Sequence, residues 1–119
     1  MTLENVMSKN TFVVLGDTKS PEKYAYKIKN SLLKAGYNVY CVPKEIARLD
    51  DINDEIEVLD LVINPIQGIK FLKETNKKIG AVVIQPGAES DEIKRYLEEK
   101  NTPYIEACVL VGLRLYPKK

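Results

Sequence analysis

This 119-residue chain predicts an α/β domain built on a doubly wound parallel sheet. Three observations lead there. Short apolar, β-branched runs alternate with amphipathic runs of helical period, which is the pattern of strands joined by crossover helices. The first such run, TFVVLG, is apolar on both faces, as a strand covered by helices on each side requires. The runs end in turns of Gly, Pro, Asn or Ser that can open a helix. Right-handed crossovers then place helices on both sides of one sheet, giving a Rossmann-like single domain.

The elements follow in order. Residues 1–10 read as a short N-terminal helix or arm capped by Thr2, and 11–119 as the domain proper. Residues 11–16 are the first strand. The helix after it is expected to start with Ser20 as N-cap, Pro21 as first helical residue and Glu22 favourable to the helix dipole. Ala25, Ile28, Leu32 and Ala35 recur at helical spacing and mark its buried face. Gly36 closes it in a left-handed conformation. YNVYCVP (37–43) is the second strand. Residues 44–60 hold seven acidic and two basic side chains and read as a short edge strand or turn over the rim of the sheet, where charge blunts strand-to-strand association.

VLDLVIN (58–64) is a central strand. Asn64-Pro65 supplies an N-cap and a first-turn proline, and Ile66, Ile69, Phe71 and Leu72 the core face of the next helix. IGAVVIQPG (79–87) is another central strand. Ser90 caps a helix with Ile93 and Leu97 inward. TPYIEACVLVGL (102–113) gives a last strand and a short terminal helix or turn.

Composition narrows the function. A net charge of +1 provides no field that would draw the molecule to nucleic acid or an anionic membrane. No run is long enough to span a bilayer, and MTLENVMSKN lacks the pattern of a secretory leader, so a cytoplasmic protein is expected. The chain has no histidine and two distant cysteines, Cys41 and Cys108. That disfavours a zinc site and removes Ser-His, Cys-His and phosphohistidine chemistry. No catalytic constellation is recognisable, and the chain reads as a binding protein rather than an enzyme.

In a doubly wound sheet, ligands bind beyond the carboxyl ends of the strands where the strand order reverses. With the usual order, that point lies between strands 11–16 and 58–64, and the loops at 16–20 and 64–68 face each other. GDTKSPEK places main-chain N–H groups and a helix N-terminus where a phosphate can sit, with Lys19 and Lys23 nearby. It holds one glycine where a dinucleotide fingerprint has three, and it is not a Walker loop. The second strand ends in Lys44, with Glu45 beside it, where an NAD site has an acid. A lysine there suits a phosphorylated ribose better than a free diol. Asn64 can cap with its oxygen and offer its amide donors to a ligand. Gly87 and Ala88 allow close approach to the backbone. The bland alternative at each loop is an ordinary strand-to-helix turn.

The stretches VVLGDTKSPEKYAYKI, AGYNVYCVPK, DLVINP, IQPGAESDEI and EACVL, in this order, resemble those of small CoA-binding proteins. These are free-standing Rossmann-like domains similar to the nucleotide domain of the succinyl-CoA synthetase alpha subunit. The resemblance runs from about Thr11 to Leu113. It implies that Gly16, Asp17 and Thr18 cradle phosphate through main-chain N–H groups, with Lys19 and Ser20 as neighbouring site residues. It implies a basic role for Lys23 and an aromatic one for Tyr26. Pro43 and Lys44 match the end of the second strand, with Lys44 suited to the 3′-phosphate or diphosphate of CoA. Asn64 and Pro65 match the turn beside the adenosine half. Gln85, Pro86, Gly87 and Ala88 match the far wall, and Cys108 a cysteine after the last strand.

Two departures stand out. Gly-Asp-Thr replaces the family's frequent Gly-Ala-Ser, setting the Asp17 carboxylate beside the phosphate position. Val-Pro-Lys replaces Asn-Pro-Lys at the end of the second strand. The Asp17 carboxylate either turns out of the site or opposes phosphate there. Cys108, at the crevice mouth, would be placed for a mixed disulfide with the CoA thiol; a small buried apolar cysteine is the plainer reading.

The function expected is binding of coenzyme A or an acyl-CoA, a small-molecule nucleotide ligand, without catalysis. The alternatives are an NADP-binding redox sensor or oxidoreductase, and a non-catalytic module docking a protein partner or a second copy.

Overall fold

Alternation along β1 (Thr11–Gly16) sets up both halves of the core. In a strand, neighbouring side chains point to opposite faces. Val13 and Leu15 pack on one side; Phe12 and Val14 pack on the other. The computed structural model describes residues 1–118. Beside β1 lie β2 (Asn38–Pro43), β3 (Val58–Val62), β4 (Val82–Ile84) and β5 (Tyr104–Glu106), all parallel, in the order β2-β1-β3-β4-β5. The order reverses direction between β1 and β3, as expected.

Helices α3 (Pro65–Glu74) and α4 (Asp91–Glu99) cover the first face, burying Ile69, Leu72, Ile93 and Leu97 against Val13, Leu15, Leu59, Leu61 and Ile84. Helices α1 (Leu3–Met7), α2 (Tyr24–Lys34) and α5 (Val109–Leu115) cover the other, bringing Val6, Met7, Ala25, Ile28, Leu32 and Val109 onto Phe12, Val14, Val58 and Val83. Each fully buried Leu, Ile or Phe side chain contributes about 1.5–3 kcal/mol. The doubly wound α/β arrangement is therefore the one the sequence predicts.

Most helix ends form as read. Thr2 accepts from Asn5 N–H (3.1 Å), Asn64 from Gln67 N–H (2.9 Å) and Ser90 from Ile93 N–H (3.1 Å). Gly36 has φ +91°. The N–H groups of Gly36 and Tyr37 reach back to Leu33 O (3.1 Å) and Leu32 O (3.0 Å), closing α2.

Three expectations are corrected, and one open choice is decided. Helix α2 starts at Tyr24 with Lys23 as its cap residue, not at Ser20-Pro21. Ile66 is 82% exposed: at the second position of α3 it precedes the face that Ile69 and Leu72 turn inward. Strand β4 is only Val82–Ile84; Ile79 makes an isolated bridge to Ile56 instead. The acidic segment after β2 takes the second of its two readings, a turn rather than an edge strand, with a 3-10 turn at Leu49–Asp51. Leu49 and Ile52 anchor it in the core, and the Asp50 carboxylate accepts from Thr75 Oγ1 and from Asn76 N–H (3.0 Å). Lys77 Nζ donates to Ile52 O (2.6 Å) and Asp54 O (2.9 Å). Its polar groups are thus spent on the loop after α3 rather than on a strand ladder.

Candidate functional site

The turn between β1 and α2 is organised by Asp17. Its Oδ1 accepts from the N–H groups of Lys19 (3.1 Å) and Ser20 (3.2 Å), and its Oδ2 accepts from Ser20 Oγ (2.7 Å). The Ser20 hydroxyl, then the Lys19 N–H, hold this carboxyl below its ordinary range, and the Lys44 charge adds to the effect. With its hydroxyl turned to Asp17, Ser20 caps no helix. Lys23 N–H bonds to Ser20 O (2.9 Å), and α2 begins three residues late. No side chain caps it. Helices α1, α3 and α4 each have a side-chain cap, whereas α2, like the short α5, has none, so the first turn of α2 keeps open main-chain donors.

That first turn faces a crevice of ≈ 470 Å³ at the carboxyl ends of the strands. Asp17, Lys23, Tyr24 and Ala25 form one wall, Val62, Ile63 and Asn64 the floor and side, and Gln85, Pro86, Gly87 and Ala88 the opposite wall. Gly16 brings β1 close enough to β3 to form this junction. A Cβ there would lie 2.4 Å from Val62 O. The glycine serves strand packing rather than a ligand.

The walls are partly committed to the fold. Gln85 is buried, and its Oε1 accepts from Val109 N–H (2.7 Å), tying β4 to the start of α5. Asn64 spends its oxygen on the cap and one amide hydrogen on Gln67 Oε1 (3.0 Å), so only part of its donor capacity faces a ligand. Gly87 has φ +93°, and its N–H donates to Glu89 Oε2 (2.7 Å). Ala88 is buried beneath that turn.

Of the residues expected from sequence, Asp17, Lys23, Asn64, Gln85, Gly87 and Ala88 line the crevice. The others lie around it. Lys19 is exposed on the turn, and Pro65 sits behind Asn64 as the first residue of α3. Thr18 is 1% exposed, and its hydroxyl has no hydrogen-bond partner. Tyr26 is half-buried on α2. Pro43, after a cis peptide bond, is the last residue of β2, and exposed Lys44 follows it. There Glu45 pairs with Lys29 of α2. Cys41, buried below, has its thiol pushed up to about 11, chiefly by burial and then by the Glu45 charge. Cys108 is half-buried at the residue before α5 and does not line the crevice. A second hollow of ≈ 330 Å³, by Leu49, Lys70 and Phe71, touches none of the expected residues.

Sequence reasoning passed over Tyr24 and Asp60. Tyr24 is 64% exposed on the crevice wall. Asp60 is fully buried in the middle of β3, between Val14 of β1 and Val83 of β4, and neither carboxyl oxygen has a partner. Burial drives its carboxyl well above the ordinary range, and the Cys108 thiol adds to this. The signal was in the sequence: a single acid inside the otherwise apolar run VLDLV.

Among the described residues no helix is long and apolar enough to cross a membrane, and no group of His, Cys, Asp and Glu is disposed to hold a metal ion. A family model described as a CoA binding domain matches residues 10–114. The fold is shared with a conserved hypothetical protein from Pyrococcus furiosus, at 26% identity and a TM-score of 0.76, covering 87% of this chain and 98% of that one. A protein from Thermus thermophilus matches at 22% identity and a TM-score of 0.83, covering 98% and 99%. A hypothetical protein from Pyrococcus horikoshii gives 21% and 0.83, covering 98% and 92%. Curated proteins give no significant match.

Proposed function

The chain belongs to the CoA binding domain family, and from that premise we propose that it binds coenzyme A or an acyl-CoA in the crevice above β1, β3 and β4, without catalysis of its own. One observation carries the reading. The uncapped first turn of α2, with Lys23 at its head, opens onto a crevice at the point where the strand order reverses. Open N–H groups and the positive end of a helix favour a phosphate. Lys19 and Lys44, both exposed on neighbouring turns, would add charge for the remaining phosphates of CoA. Tyr24 offers an exposed ring at the same wall for a base or an acyl chain.

Calorimetric titration with CoA, acetyl-CoA, ADP, NAD and NADP tests the reading. Heat with CoA or acetyl-CoA is expected, with NAD silent. Binding of NADP with CoA silent would replace it with the nucleotide-cofactor alternative, which Lys44 at the end of β2 supports more than NAD. The absence of histidine in the sequence supports the non-catalytic part of the proposal, and acyl-CoA formation in a thiokinase assay would refute that part.

A further inference from the structure

Two turns of the crevice have main-chain N–H groups, one in the 16–20 loop where the sequence expects phosphate and one at Gly87 where it expects a ligand to approach the backbone closely, and in both a side-chain carboxylate is already there. Glu89 holds Gly87 N–H from outside the crevice. Asp17 does more. Two hydrogen bonds from main-chain nitrogens and one from the Ser20 hydroxyl converge on its two oxygens. A phosphate in this turn would receive the same set of donors. Asp17 also lines the crevice, so its negative charge faces whatever enters.

We infer that Asp17 is the selectivity element of this crevice: its carboxylate occupies the β1–α2 turn as a built-in anion, closes that turn to phosphate, and leaves the first turn of α2 as the place where a ligand anion is held. The inference rests on the CoA-type reading of the crevice and sharpens it. Three features of the fold agree. The donors of Lys19 and Ser20 are satisfied internally, so a ligand gains nothing there without displacing a charge. The helix start has moved from Ser20 to Lys23, carrying its free donors to Tyr24, Ala25 and Tyr26. Tyr24 and Ala25 stand on the crevice wall itself. A carboxylate facing a diphosphate is repelled by it, so wild-type affinity for polyphosphate ligands is held down and ligand groups other than phosphate carry more of the selectivity.

Two substitutions separate charge from donor occupancy. Asp17→Asn keeps an oxygen for both N–H groups and so keeps the turn, but removes the charge. Asp17→Ala removes both and frees the donors. Wild type and both variants are titrated with CoA, ADP, adenosine and pantetheine at two salt concentrations. Asp17→Asn is expected to bind CoA and ADP more tightly than wild type. Asp17→Ala is expected to gain about tenfold, what one charge-assisted hydrogen bond would supply. Adenosine and pantetheine, which carry no phosphate, stay unchanged, and the gains shrink as salt rises. Where Asp17→Ala unsettles the turn, Asp17→Asn alone decides. If wild type binds CoA and Asp17→Asn binds CoA and ADP no more tightly, the inference is overturned while the CoA reading stands. If no protein of the set binds any phosphate-bearing ligand, both fall together.

Discussion

Ser20-Pro21 and Asn64-Pro65 are the same helix-start signature at the ends of neighbouring strands, and only the second starts a helix. After β3, Asn64 caps Gln67 N–H and Pro65 opens α3. After β1, the serine is captured by an acid three residues earlier, and α2 waits until Tyr24. The difference is the acid: Asp17 draws both the N–H and the hydroxyl of Ser20 into a turn of its own, and no acid stands three residues before Asn64. The ionised acceptor forms strong bonds to the Lys19 and Ser20 N–H groups, which a Ser20 cap would not itself have used. The first turn of α2 is thereby left with N–H groups that no side chain caps.

The two turns meet at Gly16, so Gly16→Ala breaks the comparison most severely. Its Cβ would strike Val62 O, a backbone atom that no rotamer change can move aside. A loss of about 3 kcal/mol is expected in urea unfolding. An alanine variant as stable as wild type would mean that β1 and β3 are not packed as described.

Next in size is Asp60→Asn, beneath both turns. In the unfolded chain this carboxyl ionises near its ordinary value of 3.8, while in the fold burial raises it well above that. The folded protein therefore holds an extra proton above pH 4, and stability drains away as pH rises, by about 1.4 kcal/mol per pH unit for one proton until the folded pKa is reached. Asparagine cannot ionise. Its variant should lie nearest wild type around pH 3 and gain on it steadily as pH rises toward neutrality. A difference that stays constant across pH 3 to 8 would refute the account of Asp60.

The smallest pair sharpens the comparison directly. Asn64→Ala loses a true cap and should cost about 1 kcal/mol. Ser20→Ala removes one partner of an exposed carboxylate and should stay within roughly 0.5 kcal/mol. Equal losses in thermal unfolding would show that Ser20 caps a helix after all.

Much of this molecule was legible in its residues. The strand runs, the caps at Thr2, Asn64 and Ser90, the left-handed Gly36 and the crevice at the reversal between β1 and β3 follow from local patterns that tertiary packing reinforces. What escaped was decided by pairing at a distance or by one side chain gathering a turn. The acidic segment after β2 is held by Thr75, Asn76 and Lys77, some 25 residues on in sequence, and no local pattern shows such partners. Ile66 fits a helical period but lies a turn too early to reach the sheet. At the site, Asn64 and the 85–88 wall were placed by turn chemistry. Asp17 was seen as a foreign charge, but local pattern did not show that it would gather the Lys19 and Ser20 N–H groups and the Ser20 hydroxyl.

The central claim is that a CoA-type ligand is held at the first turn of α2 rather than in the Asp17 turn before it. A ¹⁵N-resolved NMR titration of the wild-type protein with CoA tests this most directly. The account predicts that the amide signals of Tyr24, Ala25 and Tyr26 shift with CoA concentration while those of Lys19 and Ser20 stay with Asp17 and hold still. Large shifts at Lys19 and Ser20, with Tyr24 to Tyr26 unmoved, would contradict it.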